Sequence, residues 1–458
     1  MAPRIGASRS GAPDDPAAAR GIGRRAQSAI FRAGISGSRP AVPVDADALE
    51  RAARRRLTAE AFAYLAGGAG AERTMAANRA AFGRWQLWPR PLRDVSTRDL
   101  SIDFLGARRP TPLLLAPLGV MELAHRDADR AVARAAASTG IPYVLSNQAS
   151  VAMEEVVAAA PAGARLFQLY WSASDELNAS LLRRAEAAGA EAIVITLDTH
   201  LLGWRTRDLD LGFLPFTRGL GIAQYTSDPV FQQLVRERVG AAGAGSATPA
   251  GADAGDAASR VRVTPKTVAA GVSIARKGAP LTGAGLRDSL RSPLPRAAVE
   301  TFLDVFSTPA LTWAALAKAR DWTSLPILLK GVVHPDDAER AVDAGLDGIW
   351  VSNHGGRQVD QSVPTLAVLP DVAARVAGRI PIVVDSGVRQ GSDVAIALAL
   401  GATAVAIGRP YAYGLAVAGE RGVAEVVRNL LAELDITLGL AGHATIAELG
   451  PDSLRAAD

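Results

Sequence analysis

Beyond Pro110 the chain alternates short, unbroken apolar runs with longer Ala-rich stretches of helical period. Eight of the runs read as strands: Leu113–Ala116, Tyr143–Ser146, Leu166–Tyr170, Ala192–Leu197, Ile327–Lys330, Gly348–Ser352, Ile382–Asp385 and Ala404–Ile407. They are continuous rather than alternating, the pattern of parallel strands buried on both faces. Eight such strands joined by helix-length connections predict an α/β fold, a closed (β/α)8 TIM barrel rather than an open doubly wound sheet. No Gly-x-Gly-x-x-Gly stands between a strand and a helix, which argues against a dinucleotide-binding turn.

Two regions break the rhythm. Residues 198–326 separate the fourth strand from the fifth, far more than one crossover helix needs. The spacing predicts a lid insertion over about residues 206–310 at the catalytic end of the barrel. Its aromatic part, Trp204 to Phe231, is expected to be ordered. A low-complexity stretch, 240–258, is almost all Ala, Gly, Ser, Thr, Pro and Asp and is expected to be a floppy spacer. At the other end a helical segment is predicted from Asp45 to Gly67-Gly68. Residues 1–45, rich in Arg, Ser, Ala, Gly and Pro, read as a disordered arm, which leaves 46–458 for the barrel.

Composition narrows the partners. A length of 458 residues suits one barrel with insertions. Fifty Lys and Arg against 46 Asp and Glu, without a dense basic run, imply no nucleic acid. The absence of cysteine excludes disulfides, thiolate nucleophiles and Cys-ligated metals, and suits the reducing cytoplasm in which we expect the protein. Val394 to Gly408 is the longest uncharged apolar stretch and is too short to span a membrane; the first 45 residues have no apolar signal region. His125, His200, His334 and His443 read as structural, and their spacing offers no metal cluster.

The polar residues at the strand ends carry the chemistry, because barrel active sites lie at that face. Ser146, Gln168, Tyr170, Thr196, Asp198, Lys330, His354, Arg357 and Asp385 all stand at or just past the last apolar position of a strand, with Arg205 in the loop after the fourth. The run Ser352-Asn353-His354-Gly355-Gly356-Arg357 pairs a side chain suited to moving protons near neutral pH with one whose fork grips a carboxylate. That combination points to chemistry on a small organic acid. Asp385-Ser386-Gly387-Val388-Arg389 and Gly408-Arg409 follow the seventh and eighth strands, where barrels of this kind bind phosphate through glycine backbone and arginine.

Those segments, with Lys330-Gly331, Phe167-Gln168-Leu169-Tyr170, Thr196-Leu197-Asp198-Thr199 and Gly408-Arg409-Pro410, resemble the FMN-dependent α-hydroxy-acid oxidising family. The resemblance runs from about Ala61 to the C-terminus, interrupted in the insertion. Within the family the chain is most similar to the lactate 2-monooxygenase branch, as in Ala116-Pro117-Leu118-Gly119-Val120 and Leu202-Gly203-Trp204-Arg205. It implies an FMN cofactor and a small L-2-hydroxy acid substrate. His354 would take the α-hydroxyl proton, oriented by Asp198, while Arg205, Arg357, Tyr64 and Tyr170 would hold the substrate carboxylate. Lys330 would sit at the edge of the flavin where reduction gathers negative charge. Gln168, Thr196 and Ser146 would bond its rim, with Pro117, Leu118 and Gly119 along its face. Asp385 would hold the ribityl hydroxyls, and Gly387, Arg389, Gly408 and Arg409 the phosphate.

The resemblance further implies O₂ as oxidant, with lactate converted to acetate, CO₂ and water if the lid retains its products, or to the 2-oxo acid and H₂O₂ if it does not. A dehydrogenase passing electrons to a quinone or a protein is the alternative. A tetramer or octamer is expected from the relatives. Three positions depart from the pattern, His200 standing where the relatives tend to carry an aromatic residue. Gly119 replaces the alanine of many oxidases, and Gln148 stands where an apolar or aromatic residue usually covers the substrate side chain. A methyl group would not satisfy that amide.

Overall fold

A computed structural model describes residues 21–243, 264–283 and 285–457. Eight parallel strands close into a barrel: β1 (Leu113–Leu115), β2 (Tyr143–Ser146), β3 (Arg165–Tyr170), β4 (Ile193–Thr196), β5 (Ile327–Val332), β6 (Gly348–Val351), β7 (Ile382–Val384) and β8 (Ala404–Ile407). Each pairs with the next, and β8 pairs with β1. Every residue of β2, β4, β6 and β8 is buried, as the unbroken apolar runs require. The chain is therefore the (β/α)8 barrel its periodicity predicts. Strand ends move by a residue or two. Ala116, Ala192, Leu197, Ser352 and Asp385 fall just outside the ladder, while β5 runs on past Lys330 through a register shift. At that shift Gly331 adopts a left-handed φ of 101°, and a Cβ there would stand 2.9 Å from the Cβ of Asp198. Glycine thus lets the ends of β4 and β5 close on each other.

The N-terminal segment differs from its expectation twice. The helix predicted from Asp45 to Gly67-Gly68 is two helices, Ala46–Arg56 and Ala59–Ala66, because the Thr58 hydroxyl accepts from the Ala61 N–H (3.2 Å) and starts the second. The disordered arm expected over 1–45 is wrong for its second half. Gly21–Ile35 forms a helix against the long Arg409–Ala441 helix, with the Gly23 N–H donating to Asp435 at 2.8 Å. A Cβ at Gly23 would meet the Ala432 carbonyl at 2.6 Å. The small-residue composition that read as disorder is what permits this close helix contact. Residues 1–20 lie outside the described residues.

The insertion is a folded cap. Helices Pro229–Gly243, Pro265–Lys277 and Leu294–Val305 pack around Phe216, Tyr225, Phe231, Phe302 and Phe306, whose successive ring centroids lie 4.8–5.5 Å apart. Residues 240–243 of the low-complexity stretch end a helix, and 244–258 lie outside the described residues. The chain is helical again from Pro265. Side chains just past β1 and β2 help fasten the cap to the barrel rim. Asn147, after β2, donates to the Tyr225 hydroxyl (2.8 Å), and Glu122, after β1, pairs with Lys277 and accepts from the Gly221 N–H (3.3 Å). No helix among the described residues is long and apolar enough to cross a membrane.

Candidate active site

At the C-terminal ends of the strands lies a cavity of about 1000 Å³, its open mouth included. Ser352, just past β6, organises one wall. Its buried hydroxyl donates to Asp385 (2.7 Å) and accepts from Lys330 Nζ (3.0 Å) and from the His354 N–H (3.1 Å). The chain then takes three consecutive left-handed residues, His354, Gly355 and Gly356, at φ 58°, 65° and 74°. A Cβ at Gly356 would lie 2.7 Å from the Met75 nitrogen. Histidine in this region costs roughly 1–2 kcal/mol, so the turn is held by its surroundings. One of these is a reciprocal amide pair between Asn353 and Asn78 (2.8 and 2.9 Å).

The turn aims both ring nitrogens of His354. Nδ1 lies 2.8 Å from Asp198 Oδ1 and 3.3 Å from the Thr199 hydroxyl, and Nε2 faces the cavity 3.4 Å from the Tyr170 hydroxyl. Desolvation would raise the Asp198 carboxyl, but the charges of His354 and Lys330 and hydrogen bonds from His354 and Thr199 overcome it and bring the group to about 2. Asp198 is therefore an acceptor, Nδ1 carries the proton, and the Nε2 lone pair is left for the cavity. Desolvation, only partly offset by Asp198, holds His354 below its ordinary 6.5. At neutral pH the ring is an uncharged base.

Two pairs of cations face the same space. Arg205 and Arg357 lie over the Tyr64 ring, 6.0 and 5.1 Å from its centroid. Their protein partners are neutral acceptors: Gln358 Oε1 for Arg205 (2.9 Å) and the Gly67 carbonyl for Arg357 (2.8 Å). Desolvation and then the neighbouring Arg205 push Arg357 down from the usual arginine range. Asp208 feels both charges, yet desolvation keeps its carboxyl raised. Arg389 and Arg409 form the second pair, beside Gly387 and Gly408; Arg409 donates to the carbonyls of Gly355 and Gly67 (both 2.9 Å). Desolvation and the charge of Arg409 likewise lower Arg389, to about 10. None of the four arginines forms an ion pair among the described residues. Each pair lacks a carboxylate in contact, so an anionic ligand would relieve its charge.

Behind the cavity, Ser146 donates to Gln168 Oε1 (2.8 Å), which turns the Gln168 amide so that Nε2 points away as a free donor. That nitrogen and the Thr196 hydroxyl are buried with no protein partner. Together with Lys330 and the Arg389–Arg409 pair they line up donors for a long, acceptor-rich, anionic group. A flavin with carbonyls, ring nitrogens and a terminal phosphate fits that set.

Tyr64, Pro117, Leu118, Gly119, Tyr170, Arg205, Lys330, His354, Arg357, Asp385, Gly387, Arg389, Gly408 and Arg409 all line the cavity. Ser146, Gln168, Thr196 and Asp198 are not in that lining; Ser146 and Asp198 act through Gln168 and His354, which they hold, while Gln168 Nε2 and the Thr196 hydroxyl are left as unpartnered donors. Asp385 is more committed than expected, accepting from Trp350 Nε1 (3.0 Å), Ser352 (2.7 Å) and Ser386 (2.6 Å). About one of its four lone-pair positions is left for a ligand. Reasoning from sequence missed Asn78 and Arg79, which fasten the helix Arg73–Phe82 to Asn353 and to Gly387 and Asp393. It also missed Met121 and Phe306 in the lining. No local motif marks any of the four.

A parallel barrel with a cavity-facing histidine, two arginines without an ion pair and a row of unpartnered donors fits a flavin-dependent hydroxy-acid oxidoreductase. The sequence model of the FMN-dependent dehydrogenase family matches residues 53–456, and the chain belongs to that family. Its cofactor is FMN. It is 39% identical over 401 residues to an L-lactate oxidase of Lysinibacillus sphaericus, covering 88% of this chain and 90% of that one. A 4-hydroxymandelate oxidase of Amycolatopsis orientalis is also 39% identical, over 86% of this chain and 93% of its own. A solved structure of mandelate oxidase with (S)-4-hydroxymandelic acid superposes with a TM-score of 0.71 at 35% identity, over 91% of this chain and 99% of that chain.

Proposed function

We propose that the protein oxidises an L-2-hydroxy acid with O₂ and that the covered cavity keeps the 2-oxo acid and the reduced oxygen together. The net reaction is then oxidative decarboxylation: the hydroxy acid and O₂ yield a carboxylic acid one carbon shorter, CO₂ and water. FMN, when bound, accepts two electrons from the substrate and passes them to oxygen. The observation that carries the oxidation is the cavity-facing Nε2 of His354 beside two arginines that lack a counter-anion.

The chain's residues divide the work. Arg205 and Arg357 bind the carboxylate and so fix which bond of the α-carbon faces the cofactor, with Tyr64 stacked beneath them and the Tyr170 hydroxyl beside. His354 Nε2 takes the α-hydroxyl proton, and Asp198 stabilises the resulting imidazolium. Lys330 supplies fixed positive charge where the reduced cofactor gathers negative charge. Arg389 and Arg409, with the backbone at Gly387 and Gly408, hold the phosphate, while Gln168 and Thr196 meet the ring.

The cap supports retention. Phe216 and Phe306 come from the insertion, line the cavity, and are tied to the barrel through Tyr225 and Lys277. Aerobic turnover with simultaneous measurement of free peroxide, 2-oxo acid and the shortened acid tests it. The shortened acid without peroxide is expected; stoichiometric peroxide with 2-oxo acid makes the protein an oxidase that releases its products. We also expect a homo-oligomer, since Leu201, Trp204 and Leu211, all in the segment after β4, are exposed, and light scattering measures its size.

Three further results are expected. The acid limb of the kcat/KM profile lies below pH 6.5, because the base must be unprotonated and His354 is held below that value. Activity is thus full above the limb and lost as pH falls through it; a limb above 6.5 assigns the base elsewhere. Removing FMN lowers the melting temperature, because Gln168, Thr196 and the Arg389–Arg409 pair lose their partner. Restoring it at a hundredfold above its dissociation constant returns about 2.7 kcal/mol, read as a Tm rise. Lys330→Met makes the flavin potential more negative, as measured by dye equilibration.

A further inference from the structure

One polar side chain in the cavity has no role in the chemistry above. Gln148 is 6% exposed, lines the cavity, and among the described residues its side-chain amide is in no hydrogen bond, although its backbone N–H donates to Ser146. Its backbone carbonyl also accepts from the Val120 N–H, so the residue is pinned in place. The amide is not sealed from solvent: it borders the cavity, where a ligand can take the place of water as its partner.

The neighbours define what that ligand carries. A Cβ built on Gly119 would stand 3.0 Å from Gln148 Cβ and 3.5 Å from its Oε1, so glycine at 119 leaves room beside the Gln148 side chain. A Cβ built on Gly221 would lie 3.0 Å from the Gln148 carbonyl oxygen and 3.2 Å from the Phe216 ring, so both pack against that glycine. Met121, Leu202, Phe216 and Phe306 complete an apolar surround. The four arginines and Lys330 are committed to a carboxylate and to the cofactor. A second charge on the substrate would meet only hydrocarbon and one amide, and desolvating it is unfavourable. A neutral donor or acceptor on an apolar stem meets no such penalty.

We propose that Gln148 is a specificity-determining residue, and that the substrate is an L-2-hydroxy acid whose otherwise apolar side chain ends in a neutral hydrogen-bonding group such as a hydroxyl. This rests on the reading of the cavity as a hydroxy-acid site. It excludes lactate as the preferred substrate, because a methyl group leaves the amide unpaired.

The test is anaerobic flavin reduction in the FMN-loaded protein with matched acids: (S)-mandelate against (S)-4-hydroxymandelate, and L-phenyllactate against its 4-hydroxy counterpart. The wild type is expected to favour the hydroxylated member of at least one pair by roughly tenfold to a hundredfold. Gln148→Leu removes that preference, and Gln148→Asn, which keeps the amide, restores part of it. Flavin content and spectrum check that each variant is folded and loaded. Equal rates within both pairs in the wild type, or preference for the unsubstituted acids, overturn the proposal. So does a Gln148→Leu variant that slows both members alike while shifting the flavin spectrum, which would assign the amide to the cofactor. If no 2-hydroxy acid bleaches the flavin, the reading of the site fails and the proposal with it.

Discussion

Replacing His354 with glutamine is expected to lower kcat/KM at least about a thousandfold, the upper part of what a positioned general base contributes, while the protein stays yellow. The separation follows from the geometry. Nε2 faces the substrate space beside Tyr170, and Nδ1 is spent on Asp198, so neither nitrogen is needed to hold the flavin. Asp198→Asn gives a second, distinguishable result. Loss of the carboxylate removes the charge that raises His354 against desolvation, so the acid limb moves to still lower pH. The asparagine can also donate to Nδ1, and the tautomer with a proton on Nε2 then competes. The rate falls about a hundredfold or more even where the ring is neutral. A rate loss without movement of the limb would contradict the assigned role.

Arg357→Met carries the second large effect. In the free protein Arg357 is desolvated beside Arg205, with only the Gly67 carbonyl as an acceptor. The substrate carboxylate relieves that strain on binding, and a charge-assisted hydrogen bond is worth about 1.5–3 kcal/mol. A fall in kcat/KM of roughly tenfold to more than a hundredfold is expected, borne mainly by KM. Arg357→Lys recovers little, because a point charge does not reproduce the planar fork. The methionine variant is no less stable without substrate, since it removes a cation that lacks a counter-ion. Thermal melts with and without a non-reacting 2-oxo acid check both statements. Stabilisation by the ligand should shrink in the variant, and an unchanged ligand effect would place the carboxylate elsewhere.

The barrel was legible because burial on both faces leaves parallel strands no polar positions, and the eight runs stand out from the Ala-rich helices. Most rim residues were legible for a related reason: a polar group follows on or shortly after an apolar run. Tyr64 came from family resemblance alone, and the structure brings it under two arginines through a helix far from the barrel strands in sequence. Asn78 and Arg79 are set by tertiary packing between segments hundreds of residues apart, and Phe306 by packing on Phe216 and Phe302, for which local pattern holds no signal. Composition misled once. The Gly21–Ile35 helix has few large apolar residues, and it packs through Gly23 and its N–H to Asp435. Low hydrophobicity signals disorder only where packing depends on bulky side chains.

The central claim is that an L-2-hydroxy acid gives up its electrons to FMN in the cavity where His354 is the base. Stopped-flow anaerobic mixing of the wild type and His354→Gln with a panel of such acids tests it directly. Rapid bleaching of the wild-type flavin by at least one L-acid, slowed about a thousandfold or more in the variant, is the predicted result. Bleaching at equal rates in the two proteins, or none in either, would contradict the account.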